Sequence, residues 1–266
     1  MSEPVLVVRA RRLRAARGVV VARDVTLDAA PGEVVAVEGP NGSGKSTLLA
    51  ALSRMTDLTS GSLRFAGHSY ERETAQWVSR RGLGRTFQTV RLLPSLSVLE
   101  NVMVGADARL YGRGIVSNWV MPWRTRQREK ACRRAAMSAV ERLELVDLMD
   151  STAGALSYGT QRRVEIARIL AAAPKLVLFD EPTAGMSYEE RDAIGKVMRQ
   201  LQAEGITQIL VEHDMQMISD VCDHVFVMNF GVVIAEGDAE TVVQDSAVQE
   251  AYLGRRGDGD ATAGSH

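Results

Sequence analysis

The sequence predicts an α/β fold: a mostly parallel core sheet with an antiparallel β subdomain and an inserted helical subdomain. Three observations predict it. A buried-strand run, Glu33–Glu38, leads through a glycine-rich loop into a helical stripe at Leu48, Ala51, Leu52 and Met55. Two more apolar runs, Leu176–Phe179 and Ile206–Val211, alternate with helical patterns, the order of a parallel sheet. Residues 98–149 form a long, mostly helical stretch set between these runs.

The elements follow in order. Residues 5–8 and 19–27 read as short strands separated by the arginine-rich Arg9–Arg17, and Pro31-Gly32 is a turn. Ser62–Phe65, between Gly61 and Gly67, reads as half of an antiparallel hairpin. The helical stretch is broken around Gly112, Gly114 and Pro122. A helix from about Tyr158 to Ala173 is stopped by Pro174. Glu189–Glu204 is amphipathic, with Ile194, Val197, Met198 and Leu201 on one face and Gly205 closing it. Val225–Met228 and Val232–Ala235 flank Asn229-Phe230-Gly231, a hairpin. Residues 254–266, rich in Gly, Asp and Ala, are expected to be disordered.

Composition bounds the class. With 266 residues, 45% of them hydrophobic, the chain suits one large domain or a core plus a subdomain. The net charge of −1 is unevenly placed. Residues 1–23 hold six Arg and one acid, and residues 109–134 hold eight basic residues and only Glu129 against them. Two cysteines, Cys132 and Cys222, give no disulfide framework and suit a reducing cytoplasm. No apolar run approaches the ~18 residues of a membrane span. A soluble chain is expected, with any membrane role coming through a partner.

The loop carries the chemistry. Gly39-Pro40-Asn41-Gly42-Ser43-Gly44-Lys45-Ser46-Thr47 fits G-x-x-x-x-G-K-[ST]. Its glycines leave backbone N–H groups free to close on phosphate oxygens. Lys45 can reach the β- and γ-phosphates, and the Ser46 hydroxyl can ligate Mg²⁺. The following helix adds its N-terminal dipole. A nucleoside triphosphate with magnesium is the implied ligand. A dinucleotide-binding oxidoreductase is excluded, because the loop is not G-x-G-x-x-G and carries Lys-Ser.

Two further sites are legible. The strand Leu176–Phe179 ends in Asp180-Glu181, at the carboxyl end where open α/β sheets hold ligands. Asp180 is placed to hold Mg²⁺ and Glu181 to orient or deprotonate an attacking water. Leu156-Ser157-Tyr158-Gly159-Thr160-Gln161 opens a helix; Ser157 is a good N-cap, and Gly159 leaves N–H groups open for a second anion.

These pieces, with Gln88 in Arg85-Thr86-Phe87-Gln88 and His213 in Val211-Glu212-His213-Asp214, resemble the ATP-binding subunits of ABC transporters, P-loop NTPases of the ABC type. The likeness in order and spacing runs from about residue 5 to 253. It is nearest to the subgroup powering branched-chain amino acid importers, through LSYGTQRRVEIARILAAAPKLVLFDEPTAGM (Leu156 to Met186), Glu212-His213-Asp214-Met215 and Ala251-Tyr252-Leu253-Gly254. The resemblance implies one cassette over residues 1–253, with a helical subdomain at about 89–160 and a tail at 254–266. It implies ATP and Mg²⁺ as ligands. Glu181 would be the catalytic base, Gln88 would touch metal and attacking water, and His213 would hydrogen-bond the γ-phosphate. Ser157 and Gly159 would contact the γ-phosphate of ATP held by a second ATP-binding subunit, identical or not. Integral membrane permease subunits and a solute-binding protein would complete the assembly on the cytoplasmic face of the cell membrane. The Gln88 loop would sense the permease; the apolar Leu92, Leu93 and Leu96 beside it read either as a docking surface for the permease or as packing into the helical subdomain.

The chain departs from the family pattern in three places. No Tyr, Phe or Trp precedes Phe65, so Ala15 or Ala16 stands where the family stacks adenine; apolar contacts such as Val21 or Val25 are expected instead. Thr160 replaces the signature Gln, and Ser187 replaces an Asp that helps couple the two sites. The basic segment 109–134, with Tyr111, Trp119 and Trp123, reads first as a solvated helix face and second as a contact for the inner leaflet or permease. No nucleic-acid partner is expected. The competing functions are a lipid- or lipopolysaccharide-export ATPase, which shares Arg-Arg-Val-Glu-Ile-Ala-Arg, and a non-transport ABC ATPase. Tyr158 and the Met186 region favour the importer. A single cassette without sustained heptads speaks against the non-transport types.

Overall fold

The structure, a computed structural model, describes residues 4–14, 20–111 and 122–253. The strands are β1 (Leu6–Arg14), β2 (Val20–Ala29), β3 (Val34–Glu38), β4 (Leu58–Phe65), β5 (His68–Ser69), β6 (Leu83–Arg85), β7 (Leu176–Asp180), β8 (Thr207–Val211), β9 (His224–Asn229) and β10 (Val232–Gly237). The helices are α1 (Lys45–Leu52), α2 (Ala75–Arg80), α3 (Val98–Tyr111), α4 (Pro122–Arg142), α5 (Tyr158–Ala171), α6 (Tyr188–Ala203), α7 (Met215–Val221), α8 (Ala239–Gln244) and α9 (Ser246–Leu253). They fall into two compact units, one within 1–73 and 207–266, the other within 74–206.

The first unit holds an antiparallel sheet in the order β2-β1-β4-β5. Here the arginine-rich break expected after residue 8 is corrected: β1 runs on through Arg14. Leu6, Val8 and Ala10 point inward, and the register then shifts near Arg12 so that Leu13 is buried next. The extra residue of that bulge moves the apolar parity from even to odd, which hid the strand from a period-of-two reading. Arg9 is spent on the surface, its guanidinium donating to both Asp28 oxygens at 2.5 and 2.8 Å.

The same unit places β3 between β8 and β9, parallel to both, with β10 antiparallel to β9. Every residue of β3 and β8 is buried, which is why both read as short apolar runs without alternation. The β9–β10 hairpin turns on Phe230-Gly231, both with positive φ (44° and 81°), the geometry of a two-residue hairpin turn. The Gly231 N–H donates to Ser43 O at 2.9 Å and its carbonyl accepts from Arg23 N at 2.6 Å. The turn is thereby tied to the glycine loop and to β2.

The second unit pairs β6 with β7 in parallel and packs α3, α4 and α5 together. Val98, Val102 and Ala106 of α3, Ala136 and Val140 of α4, Leu143 just after it, and Val164, Ala167 and Leu170 of α5 are buried. The expected break at Gly112 and Gly114 lies outside the described residues; Pro122 opens α4, where its missing N–H costs nothing. Arg128 of the basic segment clamps Asp107 of α3 with two 2.6 Å bonds, so one of its charges is structural. α6 begins with a capping box between Ser187 and Glu190. α5 ends at Ala171, two residues short of expectation, because Ala173 adopts φ 43° ahead of Pro174. Among the described residues no helix is long and apolar enough to cross a membrane.

Candidate active site

In the first unit, β3 ends at Glu38 and α1 begins at Lys45; the loop between turns on glycines at positive φ. Gly39, Gly42 and Gly44 have φ 141°, 84° and 108°. A Cβ on Gly39 would lie 1.9 Å from the Met228 carbonyl oxygen, so only glycine fits there. Gly44 is the N-cap of α1 and supplies no side-chain cap, which leaves the helix N-terminus open to an external anion. Lys45 is buried and folds back to donate to the carbonyls of Gly39 (2.6 Å) and Pro40 (3.1 Å). Ser43 is buried too, and its hydroxyl has no hydrogen-bond partner. A buried hydroxyl without a partner in a glycine loop fits a phosphate oxygen. Asn41, Gly42 and Ser46 are exposed at the loop surface, with Pro40 and Thr47 half-buried. His213 follows β8, which is parallel to β3, so it stands at the same end of the sheet as the loop. Its backbone N–H is held by the Glu212 carboxylate at 3.0 Å, and its side chain is exposed.

The second unit gathers the other predicted residues. Asp180 ends β7, buried, with Arg85 Nη2 donating to its Oδ2 at 3.0 Å and its own N–H donating to Thr86 Oγ1 at 3.1 Å. Glu181 has φ 48°, a left-handed conformation costing a non-glycine residue about 1 kcal/mol or more, of the kind that collects at functional sites. Gln88 Nε2 donates to Glu181 Oε2 at 3.1 Å, so the two residues are in contact although 93 positions apart. Ser157 caps α5, accepting from Thr160 N at 3.3 Å, and its Oγ lies 3.0 Å from Thr160 Oγ1. Thr160 thus supports the cap. Gly159 is buried, and a Cβ there would meet Glu190 Oε1 at 2.2 Å. Ser187, the other departure, serves as the N-cap of α6.

Sequence reasoning missed the residue that joins these parts. Arg162 is fully buried and donates to Phe87 O (2.5 Å), Gln88 O (2.9 Å), Tyr158 Oη (3.0 Å) and Glu165 Oε2 (2.7 Å). Tyr158 Oη in turn donates to Gln88 O at 3.2 Å. The glutamine loop is therefore pinned to the helix that carries Ser157. A signal existed: Tyr158, Arg162 and Glu165 are spaced by four and three, one face of a helix. Arg85 was likewise read only as a neighbour of Gln88. Burial raises the Glu165 carboxyl above its ordinary range, and the Arg162 guanidinium opposes it.

Ala15 and Ala16 lie outside the described residues. Val25 is buried in the antiparallel sheet, which removes it as a surface for adenine. Phe230, by contrast, is 90% exposed on the turn beside Ser43. Leu93 is 47% exposed, while Leu92 and Leu96 are half-buried.

The sequence profile of the ABC transporter family matches residues 22–184, more than half of the chain. The chain belongs to the ABC transporter family. A second profile, the branched-chain amino acid ATP-binding cassette transporter, matches residues 232–258 of this ABC protein. The chain is 33% identical over 255 residues to the high-affinity branched-chain amino acid transport ATP-binding protein BraF of Pseudomonas aeruginosa, covering 96% of this chain and 99% of BraF. It is 34% identical over 256 residues to LivG of Escherichia coli K12, of the same description, covering 96% and 99%. Among solved structures, a cassette of an ABC transporter in its ADP conformation superposes with a TM-score of 0.81 at 29% identity, covering 95% of this chain and 100% of that one. A nucleotide-free cassette gives 0.80 at 29% identity, covering 94% and 99%. The fold is that of an ABC-type P-loop NTPase, and this ABC protein is an ATPase that binds and hydrolyses ATP.

Proposed function

We propose that this ATPase powers import of branched-chain or related amino acids, as one of two ATP-binding subunits joined to integral membrane permease subunits and served by a solute-binding protein. The observation that carries this reading is the likeness over nearly the whole chain to BraF and LivG, extending through the C-terminal segment 232–258. The subunit then works on the cytoplasmic face of the cell membrane, peripheral through its permease.

The roles follow the chemistry of the residues. The loop Gly39–Thr47 cradles the triphosphate: N–H groups and the Ser43 hydroxyl bind oxygens, and Lys45 exchanges its loop carbonyls for phosphate. Ser46, Asp180 and Gln88 would hold Mg²⁺, which would supply neutralisation of the charge developing on the transferred phosphoryl group. Glu181 is the general base, held by Gln88 before the reaction. His213 hydrogen-bonds the γ-phosphate. Ser157 and Gly159 act on the ATP of the partner subunit, so the active sites are complete only in a dimer.

Reconstitution with integral membrane permease subunits of a branched-chain amino acid importer tests the reading. Leucine uptake driven by ATP is expected, and it should vanish with Glu181→Gln while ATP binding remains. Turnover within a few-fold of wild type in that variant removes Glu181 as the base. Uptake of no amino acid, with ATPase activity intact, removes the proposed cargo.

A further inference from the structure

The C-terminal helix α9 ends beside the strand that enters the glycine loop. Tyr252 Oη donates to Glu38 Oε1 at 2.8 Å, joining residues 214 positions apart. The Tyr252 oxygen is also in reach of the N–H of Gly39, the loop's first residue. Glu38 is only 4% exposed. Burial pushes its carboxyl up, while Tyr252, His213 and Lys45 pull it down. The Tyr252 phenol is held protonated by burial and by the carboxylate, so it stays a donor.

This arrangement poses an electrostatic problem. This buried carboxyl is one residue from Gly39, whose carbonyl accepts from Lys45 Nζ at 2.6 Å, and Lys45 is the lysine that a triphosphate must recruit. A free carboxylate there would bind the lysine and repel phosphate, both against nucleotide affinity. Nothing in nucleotide binding calls for an acid at this position, and an apolar residue would fill a strand end buried on all sides more cheaply. What makes the acid tolerable is a fixed hydrogen-bond donor.

We propose that Tyr252 is a positioning residue for the phosphate loop: its hydroxyl holds the Glu38 carboxylate and keeps it from competing with the triphosphate for Lys45. This rests on the reading of Gly39–Thr47 as the triphosphate site. The C-terminal segment thereby becomes part of the nucleotide site, and its docking sets the affinity for ATP.

Three variants test it by ATP titration and steady-state kinetics on the full chain. Tyr252→Phe removes one hydroxyl and keeps the ring. It should weaken ATP about tenfold, the scale of one hydrogen bond to a charged group. KM should rise while kcat at saturating ATP holds, because the reacting groups are untouched. Glu38→Gln removes the competing charge, and Tyr252→Phe made on top of it should change ATP affinity by less than about twofold, well under 1 kcal/mol. The proposal is overturned if Tyr252→Phe leaves ATP affinity unchanged. It is also overturned if the loss persists undiminished alongside Glu38→Gln, since Tyr252 would then act through packing or through its contact with the Gly39 N–H rather than through Glu38; melting without nucleotide separates the packing loss. Lys45→Ala separates the underlying reading. Full ATP affinity in that variant rejects the loop as the triphosphate site, whatever Tyr252 does.

Discussion

Arg162 offers the sharpest test of how the second unit is held together. Replacing it with Met keeps the volume of the stem and removes the charge. Glu165, itself 0% exposed, then loses its 2.7 Å partner. Breaking a buried ion pair from one side costs about 3–5 kcal/mol, because the other charge is left uncompensated. Two remaining contacts soften this: Arg91 N at 3.4 Å and Arg168 at 3.9 Å. Both are long, so the expected loss is at the lower end, about 3 kcal/mol. At about 2–4 °C per kcal/mol for a chain of this size, the melting temperature falls by about 6–12 °C. Calorimetry and urea unfolding measure it. The sign with pH is fixed as well. The folded Glu165 carboxyl is already raised by burial, and removing Arg162 raises it further. A group raised in the folded state gives its stability below the unfolded carboxyl value and loses it as pH rises through the folded one. The deficit of Arg162→Met should therefore shrink from pH 8 toward pH 5. The double variant Arg162→Met/Glu165→Leu should recover at least half of the loss, since an apolar pair replaces an ion pair well. A loss under 1 kcal/mol, or a double variant no better than the single one, refutes the reasoning.

Other outcomes follow from single positions. Gly39→Ala forces a Cβ against the Met228 carbonyl at φ 141°, so ATP binding measured by calorimetry should be lost; unchanged binding would mean the loop is not built as described. Ser157→Arg should abolish hydrolysis while leaving the nucleotide Kd within a few-fold, and sedimentation showing turnover by a strict monomer would defeat the composite site. Leu93→Glu, on an exposed side chain, should leave basal ATPase and melting nearly unchanged yet uncouple hydrolysis from uptake; a large drop in melting temperature would place Leu93 in the core instead. The Cys222 thiol is pushed up to about 12 by burial, with Asp223 and Glu212 adding to it, so iodoacetamide at pH 8 should leave it unmodified in mass spectra of the folded protein.

The chemistry of this chain was more legible than its framework. The glycine loop, the Asp180-Glu181 strand end and the Ser157 cap are local: each is a run of neighbours whose spacing states its geometry. Gln88 and Glu181 could be named separately, but their contact could not, because no pattern along the chain brings them together. β1 was half lost for a related reason. Its arginines look like a break, and only the bulge near Arg12, a property of the pairing with β4, explains why Leu13 and not Arg12 is buried. Glu38 escaped notice because an acid ending an apolar strand looks like a simple boundary. Its partner, Tyr252, lies at the far end of the chain.

Asn101, fully buried at the start of α3, shapes the segment that carries Leu93. Its amide nitrogen donates to the carbonyls of Leu93 (3.0 Å) and Ser97 (2.9 Å), and its oxygen accepts from Leu93 N at 2.8 Å. One side chain thus grips the turn from both ends. A segment ordered in this way before any encounter does not surrender freedom when it is met, a saving of about 1–2 kcal/mol for each residue whose backbone is already fixed. On the proposed docking of a permease at Leu93, recognition at this edge is then a matter of shape offered in advance.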